Sequence, residues 1–144
     1  METRTFATFE ATGFPDESQW TADGSPLVPD GRSLSGVLAS ALGSMGHEVS
    51  EPMQHSFYGW AFEVHLPKRT EWCLLQGGSP WLLLVEERQS AWRRWLALSA
   101  SADLQAVLRA IHQVLKADPR FSSVQWFGKR DYEAGAKKGA ETPF

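Results

Sequence analysis

Histidine and carboxylate side chains close together in sequence are what metal or acid/base chemistry needs, and they crowd first at His47-Glu48-Val49-Ser50-Glu51. A zinc-protease helix places a second histidine four residues after the first, so that both rings share one face. Position 51 is glutamate, Gly46 supplies a helix stop just before the segment, and Pro52 follows it. His55 does not restore the spacing. The segment reads as a polar loop, and no metal site is expected.

Gly77-Gly78-Ser79-Pro80-Trp81 carries a serine after glycine, as a nucleophile elbow does. That device needs a second glycine after the serine and a strand-to-helix turn. Here the segment separates two apolar runs and reads as a hairpin turn. No glycine-rich loop ends in Lys-Ser or Lys-Thr, and no Gly-x-Gly-x-x-Gly occurs, so the familiar phosphate cradles are missing and no cofactor is expected. Cys73 lies inside an apolar run, where a thiol behaves as a small hydrophobe and desolvation opposes thiolate formation.

A third constellation depends on strand register. Trp60, Phe62, Val64 and Leu66 alternate with Ala61, Glu63 and His65, and two further strands are expected at Glu71 to Gln76 and Trp81 to Glu87. With turns at Pro67 to Arg69 and Gly77 to Pro80, a uniformly apolar core face pairs Val64 with Trp72, Phe62 with Leu74, Leu74 with Leu83 and Trp72 with Val85. The opposite face then gathers Glu63, His65, Glu71 and Glu86, a set able to do general acid/base work or to bind a cation. The competing reading is a solvated sheet face balanced by Lys68, Arg69 and Arg88. The rest of that face, Ala61, Leu75, Leu82 and Leu84, is apolar and needs a cover, either the Pro-rich amino-terminal arm or another chain.

Trp92-Arg93-Arg94-Trp95 is the fourth candidate, because Trp and Arg are the pair most enriched in binding hot spots. It reads as a partner surface, against core tryptophans flanked by solvated arginines. Aromatic and basic neighbours also suit single-stranded nucleic acid, but the chain as a whole carries a net charge of -3 and no global positive field. Nucleic acid is therefore a poor fit.

These candidates must be positioned by the rest of the 144 residues. Leu34, Val37, Leu38, Ala41, Leu42 and Met45 follow a helical spacing, with Asp30 or Ser33 as N-cap and Gly46 as stop. His112 lies beside the clean stripe of a second helix, Leu104, Val107, Leu108, Ile111, Val114 and Leu115, which starts at Ser101 or Asp103 and ends at Asp118-Pro119. Thr5 to Phe9 suits one short strand, Arg93 to Leu98 a weaker one, and Ser123 to Phe127 the last. The expected fold class is α+β: an antiparallel meander with two helices packed on one face, in the order β-α-β-β-β-(β)-α-β. Residues 1–32 form a Pro/Gly-rich arm with five acids and no Lys or Arg between Glu10 and Gly31, docked through Phe14, Trp20, Leu27 and Val28. Residues 33–128 form the core domain, and 129–144 a flexible charged tail.

Composition bounds the function. No apolar run approaches membrane-spanning length, the longest being Trp81 to Val85, and no secretory leader is evident. With one cysteine, Cys73, an internal disulfide is excluded, and a cytoplasmic location is expected. The expected function is a non-enzymatic protein-binding module, such as an inhibitor, adaptor or chaperone-like protein. Its partner is another protein, and a homo-oligomer remains compatible. The alternative is a small-ligand binder or acid/base enzyme using Glu63, His65, Glu71 and Glu86.

Overall fold

The computed structural model describes residues 3–88 and 102–144. Its main element is a seven-stranded antiparallel sheet built from β1 (Phe6–Ala11), β4 (Glu48–Val49), β5 (Met53–His55), β6 (Gly59–His65), β7 (Thr70–Gln76), β8 (Trp81–Arg88) and β9 (Phe121–Phe127). The order is β4-β6-β7-β8-β1-β9, with β5 also paired to β6. A separate two-stranded hairpin joins β2 (Gln19–Trp20) to β3 (Pro26–Val28). Helices α1 (Arg32–Ser44) and α2 (Ala102–Ala117) cover one face of the sheet, and a short α3 (Lys129–Glu133) follows β9. The α+β class and the antiparallel sheet with two helices on one face are as expected, with β6, β7 and β8 forming the meander. The element order is not, since β2 to β5 and α3 are additional and β1 inserts between β8 and β9.

The core forms where the helical stripes meet the inner sheet face. Leu34, Leu38 and Leu42 of α1 and Val107, Leu108, Ile111 and Leu115 of α2 are almost fully buried against Phe9, Phe62, Val64, Leu83 and Trp126. Each such side chain contributes about 1.5 to 3 kcal/mol, which offsets the cost of about 1 kcal/mol apiece for Gly36 and Gly43 within α1.

Both ends of α1 show how it is fixed. Its N-cap is Gly31, at φ 113°, and neither Asp30 nor Ser33 caps it as expected. A carboxylate from the arm does that work: Glu17 Oε1 accepts the Ser33 N–H at 2.7 Å, while Asp30 Oδ1 accepts the N–H groups of Glu17 and Gly31. At the other end Gly46, at φ 96°, donates to the Gly43 carbonyl and His47 donates to that of Leu42, a Schellman closure that matches the predicted stop.

The core extends on both sides of residues 33–128. β1 lies between β8 and β9, with Ala7 and Phe9 completely buried. Past β9, Ala140 and Trp126 exchange backbone hydrogen bonds, and Phe144 packs against the core. Within the arm, Phe14 stacks on Phe121, 5.8 Å between centroids. Trp20 and Leu27, expected to dock, are exposed.

Register is the main departure. β6 and β8 present the expected residues inward, but Phe62 pairs with Cys73, Val64 with Glu71, and Cys73 with Val85. β7 is therefore turned over, so that Glu71, Cys73 and Leu75 point to the helices and Trp72 and Leu74 to the opposite face. The first flanking loop is one residue shorter than predicted and the second one residue longer. Leu66 and Arg69 exchange hydrogen bonds around Pro67-Lys68, and Gln76 pairs with Leu82 instead of Trp81. Because side chains alternate, a shift of one residue in each hairpin flips the shared strand alone.

Candidate functional site

The turned strand divides the predicted polar cluster. Glu63 and Glu86 flank Trp72 on the outer face, and His65 pairs with Thr70, its Nδ1 3.3 Å from Thr70 Oγ1. Glu71 is on the other side of the sheet, completely buried, with Arg69 Nε 2.8 Å from its carboxylate and Glu87 also paired to Arg69. Burial raises the Glu71 pKa above the ordinary carboxyl range, Arg69 opposes the shift, and Asp103 adds to it. The structure therefore corrects the four-residue constellation: Glu71 belongs to a buried ion cluster beneath the helices and not to an outer-face site. A carboxylate is tolerated there because a guanidinium accompanies it.

The other sequence candidates fall out simply. Trp92, Arg93, Arg94 and Trp95, with the expected strand at Arg93 to Leu98, lie outside the described residues. His47 and Glu51 line a groove of about 550 Å³ beside α1, while Glu48 and Val49 pair with β6. Among the described residues, no three His, Cys, Asp or Glu side chains are grouped to hold a metal ion. Ser79 is in the β7–β8 turn and donates to the Glu10 carboxylate. Cys73 is fully buried, and burial, reinforced by Glu71, raises its pKa so that it stays a thiol.

What the structure assembles instead is apolar. One row of the outer face runs through Met53, Ala61, Leu74, Leu84, Phe6 and Phe127, each paired with the next across adjacent strands. The predicted apolar patch is thus real in kind, with Leu74 in the position expected of Leu75. At the β9 end Tyr132 of α3 covers the row, its ring 5.2 Å from Phe6 and 5.7 Å from Phe127. The cover at this end is α3, where the arm or another chain was expected. At the β5 end the row emerges at Met53, which is 71% exposed.

Two hairpins widen that exposed end. The β5–β6 turn presents Phe57 and Tyr58 to solvent, their rings 4.5 Å apart, and is closed by the Tyr58 N–H donating to the His55 carbonyl. His55 packs edge-on against Trp72 at 5.1 Å, and the Arg88 guanidinium stands over the same indole. The β2–β3 hairpin supplies Trp20 and Leu27. Gln54 joins the two hairpins, its side-chain amide donating to the carbonyls of Leu27 and Ser56 at 2.9 and 2.8 Å. Trp60 fixes the base of the hairpin through an indole hydrogen bond to the Pro29 carbonyl.

Sequence reasoning missed Met53, Phe57 and Tyr58 because three apolar residues around a turn have no period to reveal them. The signal available was their position between Pro52 and Gly59, where a turn exposes whatever it carries. No protein-family model, curated protein or solved structure matches the chain.

Proposed function

We propose that the chain is a non-enzymatic protein-binding module whose recognition surface is the apolar corner formed by the β2–β3 and β5–β6 hairpins. One observation carries the reading. Of the six large apolar side chains exposed among the described residues, five, Trp20, Leu27, Met53, Phe57 and Tyr58, stand on these two joined hairpins. Scattered exposed hydrophobes need no explanation, but five gathered on two hairpins tied together through Gln54, one of them, Met53, ending an apolar row across the sheet, mark an interaction site. Tyr and Trp are also the side chains that most often dominate binding energy.

The ligand-binding or acid/base alternative has less support, since Glu71 stands on the opposite face from Glu63, His65 and Glu86. No helix of the described residues is long and apolar enough to cross a membrane. A cytoplasmic setting agrees with the single buried thiol.

The test is affinity capture from the native host with the wild-type chain and with Phe57→Ser/Tyr58→Ser, followed by mass spectrometry. Specific proteins retained by the wild type and lost by the variant, at unchanged melting temperature, are the expected result. Identical retention by both forms would remove this surface from consideration.

A further inference from the structure

Charge is distributed very unevenly along the chain. Residues 5–67, which carry the whole apolar corner, contain eight Asp and Glu and a single cationic side chain, Arg32, for a formal charge of -7. The remaining residues carry thirteen Lys and Arg against nine acids, or +4. The sole guanidinium of the acidic portion stands over the Trp60 ring, 5.8 Å from its centroid.

Several of the acids flank the corner directly. Asp23 lies in the turn between Trp20 and Leu27, Asp16 precedes the same hairpin, and Glu51 stands exposed two residues before Met53. Asp16 and Asp23 are fully exposed, yet their carboxylates are tied locally. Asp16 accepts from the hydroxyl and backbone N–H of Ser18, and Asp23 from the Thr21 hydroxyl and the Ser25 N–H. These bonds favour the ionised form, lowering the Asp23 pKa to about 2. The β2–β3 hairpin thus carries fixed negative charge beside Trp20 and Leu27, and Glu51 adds another carboxylate ahead of Met53. On the β5–β6 side Arg88 is already engaged over Trp72. The faces of Trp20, Phe57 and Tyr58 also attract cations.

We infer that the apolar corner receives a cationic polypeptide segment of another protein, one that carries aliphatic side chains together with Lys or Arg. The inference rests on the protein-binding reading and adds the partner's chemistry to it. Aliphatic groups extend the row that surfaces at Met53, and the basic groups meet Asp16, Asp23 and Glu51. An acidic partner would meet like charge, which penalises wrong pairings and slows encounter.

Selection of a phage-displayed random peptide library against the full chain tests this, with the input library as reference. Selected peptides are then titrated by fluorescence anisotropy against three forms: wild type, Phe57→Ser/Tyr58→Ser, and Asp16→Asn/Asp23→Asn/Glu51→Gln. Selected sequences should be enriched in Lys and Arg. The aromatic variant should bind about tenfold or more weakly. The amide variant should also bind more weakly and lose most of its salt dependence. All substituted side chains are exposed, so unchanged thermal melts by circular dichroism verify folding.

Peptides that need Phe57 and Tyr58 but show no basic enrichment would overturn the charge inference and leave the protein-binding reading in place. Peptides indifferent to the aromatic variant, or failure to select any, would overturn both. Concentration-dependent self-association in sedimentation that Phe57→Ser/Tyr58→Ser abolishes would make a second copy the occupant and overturn the inference of a separate partner.

Discussion

Arg69 Nε lies 2.8 Å from the Glu71 carboxylate on the helix-covered face of the sheet, with the Glu71 side chain completely buried and that of Arg69 nearly so. Glu87 shares the same guanidinium. Removing the cation leaves two carboxylates facing the core, and breaking such a pair typically costs about 3 to 5 kcal/mol. Arg69→Met should therefore unfold at much lower urea concentration than the wild type. The raised pKa of Glu71 sets the pH dependence. A carboxyl whose folded pKa exceeds its unfolded one contributes most below the ordinary value of 4.5 and loses that contribution as pH rises through the folded pKa. Urea titrations across this range should show Glu71→Gln gaining stability relative to wild type as pH rises. A difference independent of pH would contradict the assignment.

The same pair explains what the sequence conceals. Hydrophobicity alone assigns Trp72 and Leu74 to the core, because Glu71 is the wrong residue to bury. Two turns, the first one residue tighter and the second one residue longer than expected, outweigh that preference, and Arg69 makes the outcome tolerable by accompanying Glu71 inward. Trp72, displaced outward, finds His55 and Arg88. The helices were legible because α1 and α2 carry long periodic stripes with glycine or Asp-Pro stops. The candidate site was not, since Met53, Phe57 and Tyr58 sit on a turn without periodicity, and Trp20 and Leu27 resemble core-docking residues. The acidity of the arm was plain in the sequence, but the Gln54 hydrogen bond to the Leu27 carbonyl, which ties the arm to the β5–β6 hairpin, arises only in three dimensions.

Trp126 is fully buried and donates its indole N–H to His112 Nδ1 at 3.0 Å. Only a neutral imidazole accepts that bond. Burial, with a smaller effect of Lys116, lowers the His112 pKa from 6.5. The contribution is therefore complete above 6.5 and is lost as pH falls through the lowered folded value. His112→Ala should cost about 1 to 3 kcal/mol near neutral pH by leaving the indole N–H unpaired. It should also flatten the loss of stability on acidification below the ordinary histidine range. Urea midpoints of both forms at several pH values decide this, and parallel profiles would exclude the proposed linkage.

Glu17 links the arm to the core by accepting the Ser33 N–H in the first turn of α1. A side chain that satisfies an orphan helix donor is typically worth about 1 kcal/mol. Glu17→Ala should therefore lower the melting temperature, and Glu17→Gln, which keeps an acceptor oxygen, should recover most of the loss. Amide hydrogen exchange provides the local readout: protection at Ser33 should drop in Glu17→Ala. Unchanged exchange there would mean that solvent caps the helix equally well.

Gly59 closes the β5–β6 hairpin opposite His55, and a Cβ at this position would lie 2.0 Å from the Leu75 carbonyl oxygen. The clash is with backbone, so no rotamer change relieves it. β6 must draw away from β7 at its first residue, disturbing the Trp60–Leu75 pairing and the turn that presents Phe57 and Tyr58. Forcing extra volume into a packed site typically costs about 1 to 3 kcal/mol, and more where backbone must move. Gly59→Ala should accordingly be destabilised by at least that much in urea unfolding. Its largest amide chemical-shift changes should fall between His55 and Trp60 and at Leu75, with α2 unaffected. Because the aromatic pair moves with the turn, peptide binding should weaken even below the unfolding transition, whereas Gly36→Ala, with open space around its Cβ inside α1, should gain about 1 kcal/mol of stability and leave binding unchanged. A Gly59→Ala protein as stable as wild type, with binding intact, would show that the close approach at Leu75 does not hold the corner in place.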